Sequence, residues 1–129
     1  MDNIRSFHDL TVWQRSIELS VQIYELTRTF PKDEMFGLTN QIRRASVSVS
    51  SNIAEGQSRT TTGEFLNFLS IARGSNSEVR SQLILARRLK FGSEGSIAHC
   101  ESLAVEVSKM LNALISSLKV NAKKIPRTP

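Results

Sequence analysis

A single cysteine, Cys100, stands in the 129 residues of this chain. That excludes an internal disulfide and any cysteine-based metal cluster, and it suits a reducing cytoplasm. Three prolines and six glycines leave little to interrupt long elements. Aromatic residues make up 6% of the chain, and nearly all fall on apolar stripes, which argues against reading single strands by base stacking. No apolar run is long enough to span a membrane, and the opening residues, MDNIRSFHDL, are polar, with no signal-peptide core. The expectation is a soluble cytoplasmic protein with no membrane partner.

The motifs of catalysis are equally scarce. His8 and His99 have no second ligand at metal-binding spacing, and the Glu with Glu-x-x-His pattern of di-iron bundles is missing. There is no glycine-rich phosphate loop, and no serine stands in a nucleophile-elbow context. Cys100 falls on a helical apolar seam, where a small buried hydrophobe is the simpler reading than a reactive thiol. The sequence therefore predicts no catalytic residue, no metal and no cofactor.

What is present is helical periodicity. At 40% hydrophobic and 22% charged residues the chain reads as one globular domain. Residues 1–8 form a short arm, and Asp9 is placed to cap a first helix over about 9–28. Plotted at about 100° per residue, that helix carries two apolar stripes. One holds Leu10, Trp13, Ile17, Val21 and Tyr24; the other holds Val12, Leu19, Ile23, Leu26 and Phe30. A peripheral bundle helix needs one apolar face, so two faces point to a subunit contact or to deeper burial. Periodicity does not choose between the stripes, and the second is the candidate oligomer interface.

Phe30-Pro31 ends this helix, because proline cannot continue it and disfavours helical geometry in the residue before it. A second helix over about 33–55 has Leu38, Ile42, Ala45, Val49 and Ile53 as its core stripe. Its stretch Gln41–Gly56, QIRRASVSVSSNIAEG, is rich in Ser and Ala, so neighbours must approach it closely. Gly37 reads as a close-packing position and Gly56 as a left-handed helix stop. Thr61 and Glu64 form a capping-box pattern opening a third helix over about 61–90. Its stripe is Phe65, Phe68, Leu69, Ala72, Val79, Leu83 and Ala86, interrupted by Asn76; mid-helix Gly74 calls for a compensating contact. A fourth helix over about 96–120 keeps Ile97, Cys100, Ala104, Val107, Leu111, Leu114 and Leu118 at 3-4 spacing, and 121–129 reads as a disordered basic tail. Short turns between four such helices predict an all-α, up-down-up-down antiparallel four-helix bundle.

The net charge of +5 opens the possibility of an acidic partner. Arg73, Arg80 and Arg87 recur every seven residues along one side of the third helix, and Arg88 and Lys90 extend them. Arg43 and Arg44 form a second cluster, and Lys123, Lys124 and Arg127 a third. A row of guanidinium groups neutralises successive phosphates without reading sequence, so the first five with Arg43 and Arg44 are the candidate nucleic-acid-binding set. The competing reading is a solvated face with internal ion pairs. Of the polar set Asn52, Glu55, Ser75 and Glu78, two structural pairings are expected: Glu55 with Arg59, and Glu78 with Arg43 or Arg44.

The segments FHDLTVWQRS, FPKDEMFGLTNQIRRASVSVSSNIAEG, EFLNFLSIARGSNSE and QLILARRL resemble the 23S rRNA intervening-sequence protein family over about residues 7–89. Ser50 stands where that family often has Pro, Asn76 where an apolar residue is usual, and Arg80 where an acidic one is common. The resemblance implies a four-helix bundle assembled as a ring-like homopentamer. The family is similar to the accessory protein of diversity-generating retroelements, which binds a reverse transcriptase and nucleic acid. The function expected is thus non-enzymatic binding of RNA or DNA backbone by an oligomer; the alternative is a protein-interaction scaffold for a nucleic-acid enzyme.

Overall fold

The computed structural model describes residues 6–124. Four helices account for most of them: α1 (Thr11–Thr27), α2 (Leu38–Gln57), α3 (Thr62–Arg88) and α4 (Glu94–Lys124). Each packs on two others, α1 and α3 both lying against α2 and α4, which makes the square up-down-up-down bundle. The stripes expected on α2, α3 and α4 converge through Ile42, Val49, Ile53, Leu69, Val79, Leu83, Ile97, Val107 and Leu111, all buried. Phe65, Phe68, Leu114 and Leu118 are only half-buried, and Leu103 and Ile115 join the core of α4. α4 runs past the expected end at 120, and the side chains of the third basic cluster lie outside those described.

The ends of the helices depart from expectation for local reasons. Asp9 does not cap α1. It pairs with Ser6 in a capping box around the 3-10 turn Phe7–Asp9, and Leu10 holds the N-cap of α1 without a side-chain bond. α2 starts at Leu38 rather than near Asp33, because Lys32–Glu34 closes a separate 3-10 turn and the Glu34 carboxylate then accepts from the Leu38 amide at 3.1 Å. α3 opens on Thr61, which accepts from the Glu64 amide, so one of the two bonds of the expected capping box is made. It closes in a Schellman arrangement, Phe91 N–H donating to the Ala86 carbonyl and Lys90 N–H to that of Arg87, with Lys90 at φ 61 where glycine is usual.

Two glycines reverse their expected roles. Gly56 is not a left-handed stop; it lies buried inside α2, which continues to Gln57. A Cβ there would lie 2.7 Å from Phe68 Cβ and 3.0 Å from a ring carbon of Phe65, so Gly56 is where α3 comes closest. Gly74 has no compensating contact, since nothing lies within 4 Å of the Cβ it lacks. Gly74→Ala is therefore expected to raise stability by about 1 kcal/mol, the helix-propensity difference, read as a higher midpoint in urea. An unchanged or lower midpoint would show a constraint at that position.

The largest correction concerns α1. Val12, Leu19, Ile23, Leu26 and Phe30, the candidate interface, are buried in the chain's own core. The other stripe is the uncovered one: Leu10 is buried and Trp13 half-buried, but Ile17, Val21 and Tyr24 are exposed. Both stripes repeat at the same period, so only the positions of α2 and α4 around α1 decide which is covered. Buried Ser16 and Thr27 donate to the Trp13 and Ile23 carbonyls of α1, and Thr27 also accepts from Arg43 of α2.

Candidate nucleic-acid interface

Packing sorts the seven candidate cations into two groups. Arg43 belongs to the interior of the α1/α2 junction: its Nε donates to Thr27 Oγ1 at 2.8 Å and its guanidinium lies 4.6 Å from the Tyr24 ring centroid. Arg87 is held between two carboxylates, with Glu94 and Glu101 each at 2.6 Å, and their hydrogen bonds raise its pKa above the usual arginine value. Both tie helices together. The ion-pair reading holds for Arg87, whereas Arg43 is occupied by a hydroxyl and an aromatic ring, and both are removed from the nucleic-acid set.

The remaining five face solvent. Arg73 touches Asn112 Oδ1 at 3.2 Å, a neutral partner that leaves its charge uncompensated. Arg44, Arg80, Arg88 and Lys90 have no ion pair among the described residues. The Ser48–Ser75 hydrogen bond at 2.9 Å sets the level of α2 against α3. One turn from it, Arg44 lies on the α2 flank of α3, while Arg73 and Arg80 lie on the α4 flank with Arg87. Between the flanks the outer face of α3 carries exposed Ser70, Gly74, Ser77 and Ser81 over its middle turns, with Ile71, Ile84 and Leu85 also exposed along the helix. It is a low surface bordered by guanidinium groups, and its small side chains leave the main chain open to close approach.

Sequence reasoning did not identify that low face as part of the site, although the seven-residue steps from Ser70 to Ser77 and from Gly74 to Ser81 were visible. The expected polar pairings are half realised. Glu55 and Arg59 pair at 2.6 Å, with Arg59 lying over the Phe68 ring. Glu78 meets neither Arg43 nor Arg44 among the described residues; Ser75 instead bonds Ser48, to which Asn52 also donates. On the opposite side of the bundle, Arg15 grips Glu106 through two hydrogen bonds at 2.8 and 3.1 Å, which lowers the pKa of that carboxyl.

Other polar groups do not assemble into a reactive centre. Cys100 is buried in the core, and burial, followed by the charge of Glu101, pushes its thiol up to about 11, so little thiolate forms near neutrality. The His8 ring stacks on Phe7 and meets the edge of Trp13. Among the described residues no group of three His, Cys, Asp or Glu side chains is arranged to hold a metal ion. None of the described helices is long and apolar enough to cross a membrane.

Comparison with known proteins finds similarity in both sequence and structure. Residues 8–113 match the family described as 23S rRNA-intervening sequence protein. A crystal structure of a protein of unknown function, from the S23 ribosomal protein family of Bacteroides thetaiotaomicron, is 25% identical, with a TM-score of 0.75 over 81% of this chain and 95% of that one. No curated protein matches the chain.

Proposed function

The chain belongs to the 23S rRNA-intervening sequence protein family, and from that premise we propose that it is a non-enzymatic, self-associating bundle that binds RNA or DNA backbone. The observation that carries the nucleic-acid reading is the uncompensated set Arg44, Arg73, Arg80, Arg88 and Lys90 around the low outer face of α3. Five such cations on one side bring a phosphate chain against Ser70, Gly74, Ser77 and Ser81, close enough for several contacts at once. Recognition is by charge and not by base, because the exposed aromatics lie elsewhere, on α1 and the α1–α2 turn.

Self-association is carried by a different surface. Ile17, Val21 and Tyr24 of α1 and Val47 of α2 are exposed together along one groove, an apolar strip that a single folded chain leaves wet. It replaces the buried stripe as the subunit contact, and the assembly proposed is the ring-like homopentamer that the family resemblance implies.

Fluorescence anisotropy with structured RNA and with duplex DNA, across a salt series, tests the binding. Affinity is expected to fall steeply with salt, and Arg80→Glu with Arg88→Glu to weaken binding at least tenfold at low salt. That pair of changes should also reduce the slope of log K against log salt by about 2, roughly 0.9 for each phosphate that is no longer neutralised. Arg43→Glu and Arg87→Glu are expected instead to lower the melting temperature. Absence of binding at low salt, or binding indifferent to salt, overturns the reading.

A further inference from the structure

Two of the uncovered apolar surfaces among the described residues differ in shape. One is convex: Phe36, on the turn that leads from Lys32–Glu34 into α2, is 94% exposed, with Met35 half-exposed beside it. The other is the concave groove between α1 and α2. Ile17, Val21 and Tyr24 form one wall and Val47 the other, with Ser20 and Ser50 at its floor. So exposed a side chain is not seated in its own groove. Resting on the self-association reading above, we propose that Phe36 of one copy inserts into the α1/α2 groove of a second copy.

Charge complementarity supports that occupant. The groove ends at Glu25 and Arg28, themselves 3.0 Å apart, and the turn bearing Phe36 carries Lys32 and Asp33, which have no ion pair among the described residues. Docking sets Lys32 against Glu25 and Asp33 against Arg28, exchanging one exposed local pair for two across the contact. Because projection and groove are different patches, the contact is head-to-tail. Each copy uses its projection once and its groove once, which closes a ring or runs on as a filament. A contact of the α1 strip with itself would leave Phe36 bare.

Phe36→Asp and Val21→Asp separate these geometries by light scattering. Both positions are exposed, so circular dichroism and the melting curve should show each variant folded; Val47→Asp blocks the same groove should Val21→Asp not fold. Each variant alone is expected at the mass of one 14.4 kDa chain, and an equimolar mixture at about twice that mass, since one projection and one groove remain intact. A Phe36→Asp chain that still assembles like the wild type, or a mixture that yields no mixed dimer, overturns the proposal. A monomeric wild-type chain would overturn the self-association reading itself, and this insertion with it.

Discussion

Leu19→Asp combined with Ile23→Asp is expected to unfold the chain. Both side chains are fully buried, in the stripe that meets α2 and α4. Deleting a buried Leu or Ile side chain typically costs about 2–5 kcal/mol, and placing a carboxylate in the vacated space adds desolvation that no nearby cation repays. Two such changes reach or exceed the roughly 5–15 kcal/mol that holds a typical domain together. Far-UV circular dichroism should show most of the helix lost, and a thermal scan should show no cooperative transition. If α1 were instead turned by half a circle, the double variant would stay folded and merely dissociate, so a helical, cooperatively melting monomer would contradict the packing described above. The matching change on the outer stripe, Val21→Asp, should leave the fold intact.

The second large effect is expected at Gly56. A methyl group there meets Phe68 Cβ at 2.7 Å and the Phe65 carbonyl at 3.3 Å, and neither of those atoms lies at the far end of a flexible side chain. Gly56→Ala must push α2 and α3 apart next to the turn that joins them. Overpacking of this kind costs about 1–3 kcal/mol, more than the roughly 1 kcal/mol that Ala returns in helix propensity. Gly56→Val, bulkier still, should lower the melting temperature by several degrees, with about 4 °C per kcal/mol a fair scale for a chain of this length. The same Gly→Ala exchange at Gly74 carries the opposite sign, because that site is open. Equal effects at both positions would mean that backbone propensity alone governs them and that the α2–α3 approach is looser than these distances require.

Asn76 shows a different balance. It is buried among apolar neighbours, donates to the Ala104 carbonyl at 2.8 Å and leaves its own Oδ1 without a partner among the described residues. The single bond spans α3 and α4 and fixes their relative level, at the expense of an unpaired acceptor. From sequence Asn76 was visible only as an interruption of a stripe. Which carbonyl it would reach depended on how far α4 slides along α3.

The arginines illustrate the same limit. Seven-residue spacing puts Arg73, Arg80 and Arg87 on one side of α3, and all three do lie toward α4. Yet Arg87 is neutralised by Glu94 and Glu101, Arg80 has no ion pair among the described residues, and Arg73 meets only an amide. Those differences come from α4, which sets Glu94 and Glu101 near its start against Arg87 at the end of α3, while its Glu106 turns to Arg15 of α1. Arg43 and Arg44 are adjacent in sequence, but the 100° step between them turns one into the α1/α2 junction and the other out to solvent.

The sequence by itself determined four amphipathic helices, the bundle class, the core stripes of α2, α3 and α4, and membership of a family. These follow from local facts: the apolar period, the break at Pro31 and the Thr61 cap three residues from the amide it accepts from. Tertiary structure alone decided which stripe of α1 is covered, which arginines keep a free charge and whether a glycine is packed or open. Each of these depends on what a second helix brings to the surface of the first, and the period of one helix carries no record of its neighbour's position.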